Sequence, residues 1–247
     1  MSKYLLVLFL FSILSCKKEE NKKTETQTVE TAATSDETEE NTTEALVQDT
    51  LEKTEKIQIP KTFKILDETE GDLDKDGIPE KVIVYDTEKE TDLGTERQIY
   101  IYKNNNGKWE FWKKAIGAVL PSQHGGMMGD PFDEISIERN CIVINHFGGS
   151  RQKWNYTHRF RYQGGDFQLI GATVNFGSPC DYFETMDYNL SNGKINYEKE
   201  TEDCENDTSK VEKEEMVMKR KTLPTMNGFY PGNNEVKFPN SETTIYY

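Results

Sequence analysis

No apolar run in this chain is long enough to cross a bilayer. The longest, Tyr4 to Leu14, falls well short of the ~20 residues a helix needs to span about 30 Å of hydrocarbon. Basic charge is also in deficit: 30 Lys and Arg stand against 44 Asp and Glu, for a formal net charge of −14. Nucleic-acid binding needs a concentrated basic patch to release phosphate counterions, so the balance argues against nucleic acid as a partner. It argues equally against adhesion to anionic lipid through surface charge. The four cysteines include no C-x-x-C pair, which removes a thioredoxin-type centre and a zinc site. Ser150 in Gly148-Gly-Ser-Arg151 lacks the second flanking glycine of a nucleophile elbow. No catalytic residue is assigned, and the balance is against an enzyme. Helical signals are scarce as well. A Ser209-x-x-Glu212 capping box and a stop before Pro224 predict one short helix near Ser209 to Lys221. Its apolar content is thin, so it is expected on the surface.

Against these absences stands a distinct leader. Lys3 supplies a positive charge, Tyr4 to Leu14 an apolar stretch, and Ile13-Leu-Ser-Cys16 its end. Charge followed by a short apolar segment reads as a signal peptide. The ending resembles the lipobox of bacterial lipoproteins. That resemblance implies removal of residues 1–15 and acylation of Cys16, with palmitate among the expected chains. The protein would then be held to the membrane by lipid. Lys17-Lys-Glu-Glu20 resembles the signal that sends some Gram-negative lipoproteins to the outer face of the outer membrane. The same four residues also fit the plain opening of a charged linker. No aspartate follows the cysteine, so the usual inner-membrane retention cue is missing.

Residues 16–56 are Lys, Glu, Thr, Asn and Ser with almost no apolar residue. Such a segment cannot bury enough surface to offset the entropy of ordering it. We expect a disordered acidic linker whose r.m.s. span is roughly 35 Å.

The remainder, residues 57–247, is one domain-sized piece with strand periodicity. Lys81 to Tyr85, Arg97 to Tyr102, Glu134 to Ile137 and Ile142 to Ile144 are β-branched and aromatic runs of the kind that favour strands. Trp154, Tyr156, His158, Phe160 and Tyr162 alternate with polar residues, giving one apolar and one wet face. Turn residues at Asn104 to Gly107, Arg139-Asn140, Gly164 to Asp166 and Ser191 to Gly193 separate them. The expectation is a mainly β, antiparallel domain, with sandwich, barrel and propeller-like sheet all open.

One segment carries tight chemistry: Gly71-Asp72-Leu-Asp74-Lys-Asp76-Gly77-Ile78-Pro-Glu80. Three aspartates at alternate positions converge in one turn, and Gly77 permits the bend. The Ile78 carbonyl and the Glu80 carboxylate extend the oxygen set. All-oxygen ligation in a flexible loop suits Ca²⁺. Ile83 stands where an EF-hand would require a bidentate glutamate, and a strand follows instead of a helix. The segment resembles the calcium loops of FG-GAP or VCBS repeats. It occurs once, with Glu80 where aspartate is usual, so the loop carries over and the multi-bladed propeller does not. We expect a structural Ca²⁺ held by Asp72, Asp74, Asp76, Ile78 and Glu80.

Two glycine-rich loops, Gln123 to Pro131 and Asn145 to Arg151, each join a histidine to a diglycine. Glycine lets backbone approach a ligand closely or adopt positive φ. If the loops converge, His124, Asp130, His146 and Arg151 form a polar site for a carboxylate, phosphate or sugar. The alternative is two loop crossings that need glycine. His158 falls on the aromatic face of its strand, where a structural role is expected. Of the cysteines left after Cys16, Cys180 and Cys204 lie in loops and are the expected disulfide, although three cysteines allow three pairings. The functional expectation is a lipid-anchored envelope protein of the outer membrane that binds or scaffolds a protein or glycan partner. The alternatives are an extracytoplasmic hydrolase or carbohydrate-active enzyme using the histidine loops, and a structural component of a surface complex.

Overall fold

Strand-forming runs alternate with tight turns from residue 64 onward, and the computed structural model follows that rhythm. It describes residues 59–247; the leader, Cys16 and the linker lie outside the described residues. Thirteen strands follow in order: β1 Lys64–Gly71, β2 Glu80–Thr91, β3 Gly94–Asn105, β4 Lys108–Ile116, β5 Phe132–Glu138, β6 Cys141–Gly149, β7 Lys153–Gln163, β8 Asp166–Ser178, β9 Tyr182–Asn189, β10 Lys194–Asp203, β11 Thr208–Val217, β12 Glu235–Phe238 and β13 Thr243–Tyr246. Strands β1 to β4 form one antiparallel meander, β5 to β11 a second of seven strands, and β12–β13 a hairpin. Neither meander closes on itself: β1 and β4 are the outer strands of the first, β5 and β11 of the second.

Local chemistry explains the hairpins. Asn106-Gly107, Arg139-Asn140 and Gly164-Gly165 are two-residue connections with positive φ at both positions. That conformation matches the right-handed twist of the flanking strands. Alternation then sorts the side chains. From β2 and β3, Val82, Val84, Ile99 and Ile101 point into a core shared with Ile142, Ile144, Phe160, Leu169, Met186 and Tyr188 of the seven-stranded meander. The opposite face of the smaller sheet carries a second cluster of Ile83, Tyr85 and Tyr100, flanked by Phe63 and Phe111. At the join between sheets β1 runs beside β5. A Cβ at Gly71 would come within 2.7 Å of the Ile137 side chain, so glycine there sets the approach of the two edges. The C-terminal hairpin closes the core: Phe238 stacks on Tyr197 at 4.6 Å and Tyr247 meets Tyr188 edge-on at 5.6 Å.

The helix expected at Ser209 to Lys221 is a correction. Thr208–Val217 is strand β11, paired along its whole length with β10. Met216 and the buried Glu214 face inward while Lys213 and Glu215 face water. Local helix preference yields here to ten residues of ladder pairing. The charged composition suits an edge strand, which must discourage further pairing. No helix occurs among the described residues.

Candidate metal centre and the histidine loops

The acidic loop joins β1 to β2 at the edge of the smaller sheet. Leu73, only 1% exposed, plugs its middle into the core, and Asn140 of the β5–β6 turn donates to the Asp72 carbonyl at 2.6 Å. Within the loop, Asp72 accepts from the Lys75 and Gly77 amides at 2.6 and 3.2 Å. Asp74 accepts from the Asp76 amide, and Asp76 from the Ile78 amide. These side-chain-to-backbone bonds fold the turn from within, and Gly77 takes its expected positive φ of 85°.

Asp72, Asp74 and Glu80 each present an oxygen within 4.8 Å of the others. Asp76 lies outside this cluster; its carboxylate accepts from the Ile78 amide at 2.7 Å. Glu80 is 1% exposed and accepts from the Leu73 amide at 2.8 Å. Burial, aided by the Asp74 and Asp76 charges, raises its pKa against the pull of that amide and of Lys103. Lys103, from β3, forms an ion pair with Asp74, and that bond raises the lysine's own pKa. Carboxylates this close repel strongly unless a positive charge stands among them. Lys103 supplies one charge from one side. The hard, all-oxygen donor set fits a divalent cation such as Ca²⁺, which would be held by Asp72, Asp74 and Glu80.

The glycine loops do converge, through backbone. The Gly149 amide donates to the Gly125 carbonyl at 2.9 Å, and the Phe147 amide to Pro131 at 2.8 Å. At this convergence the four expected ligand residues each have different surroundings. Alternation along β6 turns His146 inward, where it is wholly buried and its Nε2 accepts from the Leu120 amide at 3.2 Å. His124 meets the Tyr230 hydroxyl at 3.2 Å through Nδ1. Asp130 pairs with Arg97 at 2.6 Å, and Arg151 is exposed. Burial and the nearby His124 push the His146 pKa down to about 3. His158 lies between Tyr156 and Phe229, its ring 4.8 Å from the latter. Burial drives its pKa well below the ordinary value. Neither of its nitrogens has a hydrogen-bond partner among the described residues.

Cys180 and Cys204 form a disulfide with Cα atoms 5.2 Å apart, bracing the β8–β9 and β10–β11 connections. Cys141 is buried and free. Sequence reasoning missed the buried guanidinium of Arg97, 3% exposed, held between Asp130 and Asp86 at 2.6 and 3.3 Å. Its partners lie 33 residues ahead and 11 behind, on other elements, and no local pattern marks such a meeting. Comparison with protein families, with characterised proteins and with solved structures returned no match for this chain.

Proposed function

We propose that this chain is a lipid-anchored protein of the bacterial outer membrane that presents a calcium-stiffened β domain as a binding module. The observation that carries the reading is the Lys3 to Cys16 leader, a short apolar stretch ending in a lipobox-like cysteine. The acidic linker of residues 16–56 holds the domain off the bilayer, its negative charge adding no attraction to anionic lipid. Calcium at Asp72, Asp74 and Glu80 stiffens the turn that plants Leu73 in the core. We read that role as structural: the three carboxylates are bound up with loop amides and Lys103, which commits them to holding the turn. The hydrolase alternative loses its support in the histidine loops. His146 is turned into the core and Asp130 is committed to Arg97.

Metabolic labelling of cells with a clickable fatty acid tests the anchor. Wild-type protein should carry the label and Cys16→Ser should not. Equal labelling of both would overturn the assignment.

A further inference from the structure

The register of the larger sheet lines up a row of side chains across four of its strands. Trp154 of β7 pairs with Phe176 of β8, Phe176 with Glu184 of β9, and Glu184 with Lys199 of β10. Directly paired residues project from the same face of a sheet, so the four stand side by side. Beyond them β13 forms a facing wall through Thr243 and Tyr246, and between wall and row lies a cleft of about 370 Å³. Its aromatic lining is held in place. A Cβ at Gly148, opposite Trp154 in β6, would lie 2.3 Å from the indole, so the ring rests over bare backbone. The Tyr156 ring lies 5.0 Å from Trp154, inclined by 34°. Tyr246, half exposed, stands at the mouth.

At the floor Glu184 is 7% exposed. Its Oε1 accepts from the Tyr197 hydroxyl at 2.7 Å and stands 3.7 Å from Lys199 Nζ. No described residue donates to Oε2. Lys199 also lies 4.3 Å over the Tyr182 ring, so the one negative charge of the cleft already has its cation. A positively charged ligand would have to displace Lys199, and a negatively charged one would face Glu184. What remains recognisable is a neutral molecule with an apolar face and hydroxyls at its rim. Aromatic faces pack against such a face, and the fixed carboxylate accepts from a hydroxyl with the strength of a charge-assisted bond.

We propose that this cleft binds a neutral oligosaccharide, one pyranose face lying on Trp154 and a ring hydroxyl donating to Glu184 Oε2. The proposal rests on reading the domain as a binding module and names the ligand class that such a module takes.

Calorimetric titration of the full chain, held in a polyoxyethylene detergent to avoid glycosidic headgroups, provides the test. The probes are cellohexaose, xylohexaose, maltohexaose, laminarihexaose and chitohexaose, with tetragalacturonate and hexalysine as charged counterparts. At least one neutral probe should bind with millimolar affinity or better, and Trp154→Ala should weaken it by about tenfold or more. Should Trp154→Ala melt below the wild type, Tyr246→Ala, at a half-exposed position, replaces it and should weaken binding severalfold. Silence from all five neutral probes at about 10 mM overturns the proposal, as does binding that neither substitution changes. Trp154-dependent binding of a charged probe alone also overturns the neutral ligand, while leaving the binding-module reading standing.

Discussion

Acid should destabilise this domain at a pH where most of its carboxylates are still ionised, because of two histidines. His146 and His158 are fully buried and held neutral, their pKa values driven down by desolvation. In the unfolded chain both would titrate near the ordinary ~6.5. Below that value the unfolded state takes up protons that the folded state refuses, so stability falls as pH falls. Each histidine contributes about 1.36 kcal/mol per pH unit in this window, hence roughly 2 kcal/mol between pH 6.5 and 5. The pair removes about 4 kcal/mol, a large share of the 5–15 kcal/mol that typical domains possess. His124, lowered by burial, adds to the loss to a smaller extent because it is only partly buried. Glu80 acts oppositely: its raised pKa lets the folded state hold a proton first, but only as pH nears the carboxylate range. The assay is urea unfolding followed by circular dichroism at pH 7.5, 6.5, 5.5 and 5.0. His158→Leu, close in volume and placed among Tyr156 and Phe229, should keep stability at pH 7.5 within about 1.5 kcal/mol. It should also roughly halve the slope. A wild-type stability at pH 5 within about 1 kcal/mol of its value at pH 7.5 would refute the reasoning.

Three further outcomes are expected. One-millimolar calcium should stabilise the domain by roughly 0.4–1.4 kcal/mol for dissociation constants of about 10⁻³–10⁻⁴ M. Asp74→Ala should abolish the gain, and a melting curve indifferent to calcium and to chelator would leave the loop held by Lys103 alone. Replacing Cys180 and Cys204 by serine opens a loop with a separation of 24 residues, which the chain-entropy treatment puts at about 3.5 kcal/mol. Denaturant midpoints of the two forms decide it, with non-reducing peptide mapping to establish the bridge. Arg97→Met should cost about 3 kcal/mol by stripping Asp86 and Asp130 of a buried partner, whereas loss of an idle surface cation would cost under 1 kcal/mol.

Local chemistry made the ladder legible before the long-range contacts. The runs at Lys81 to Tyr85, Arg97 to Tyr102 and Trp154 to Tyr162 all lie within strands β2, β3 and β7, because alternation and turn residues act over a few positions. The segment Ser209 to Lys221 misled for the same reason: its capping box is a local signal, and the pairing with Lys194–Asp203 that overrides it is not. At the acidic loop, residue types and spacing announced the cluster of Asp72, Asp74 and Glu80. They could not announce that Asp76 would turn to the Ile78 amide or that Lys103 would arrive from another strand. The histidine loops show the limit from the other side. Their glycines meet as expected, yet one step of strand alternation sends His146 into the core. The row from Trp154 to Lys199 depends on the register of four strands and has no signature in any one of them.

Every strand in the two meanders pairs with its immediate neighbours in the chain. Each pairing therefore closes only a short loop, and the entropy lost at each closure is small. Sheets of this kind need not wait for distant segments to find one another, unlike Greek-key sandwiches whose non-local pairings slow their folding. The hairpins seeded at Asn106-Gly107, Arg139-Asn140 and Gly164-Gly165 can form one after another as the chain is synthesised. Only the final hairpin, which brings Phe238 and Tyr247 onto Tyr197 and Tyr188, must come last. A ribosome-arrested chain stopped after Val217 should accordingly hold a zipped ladder whose core is still unsealed.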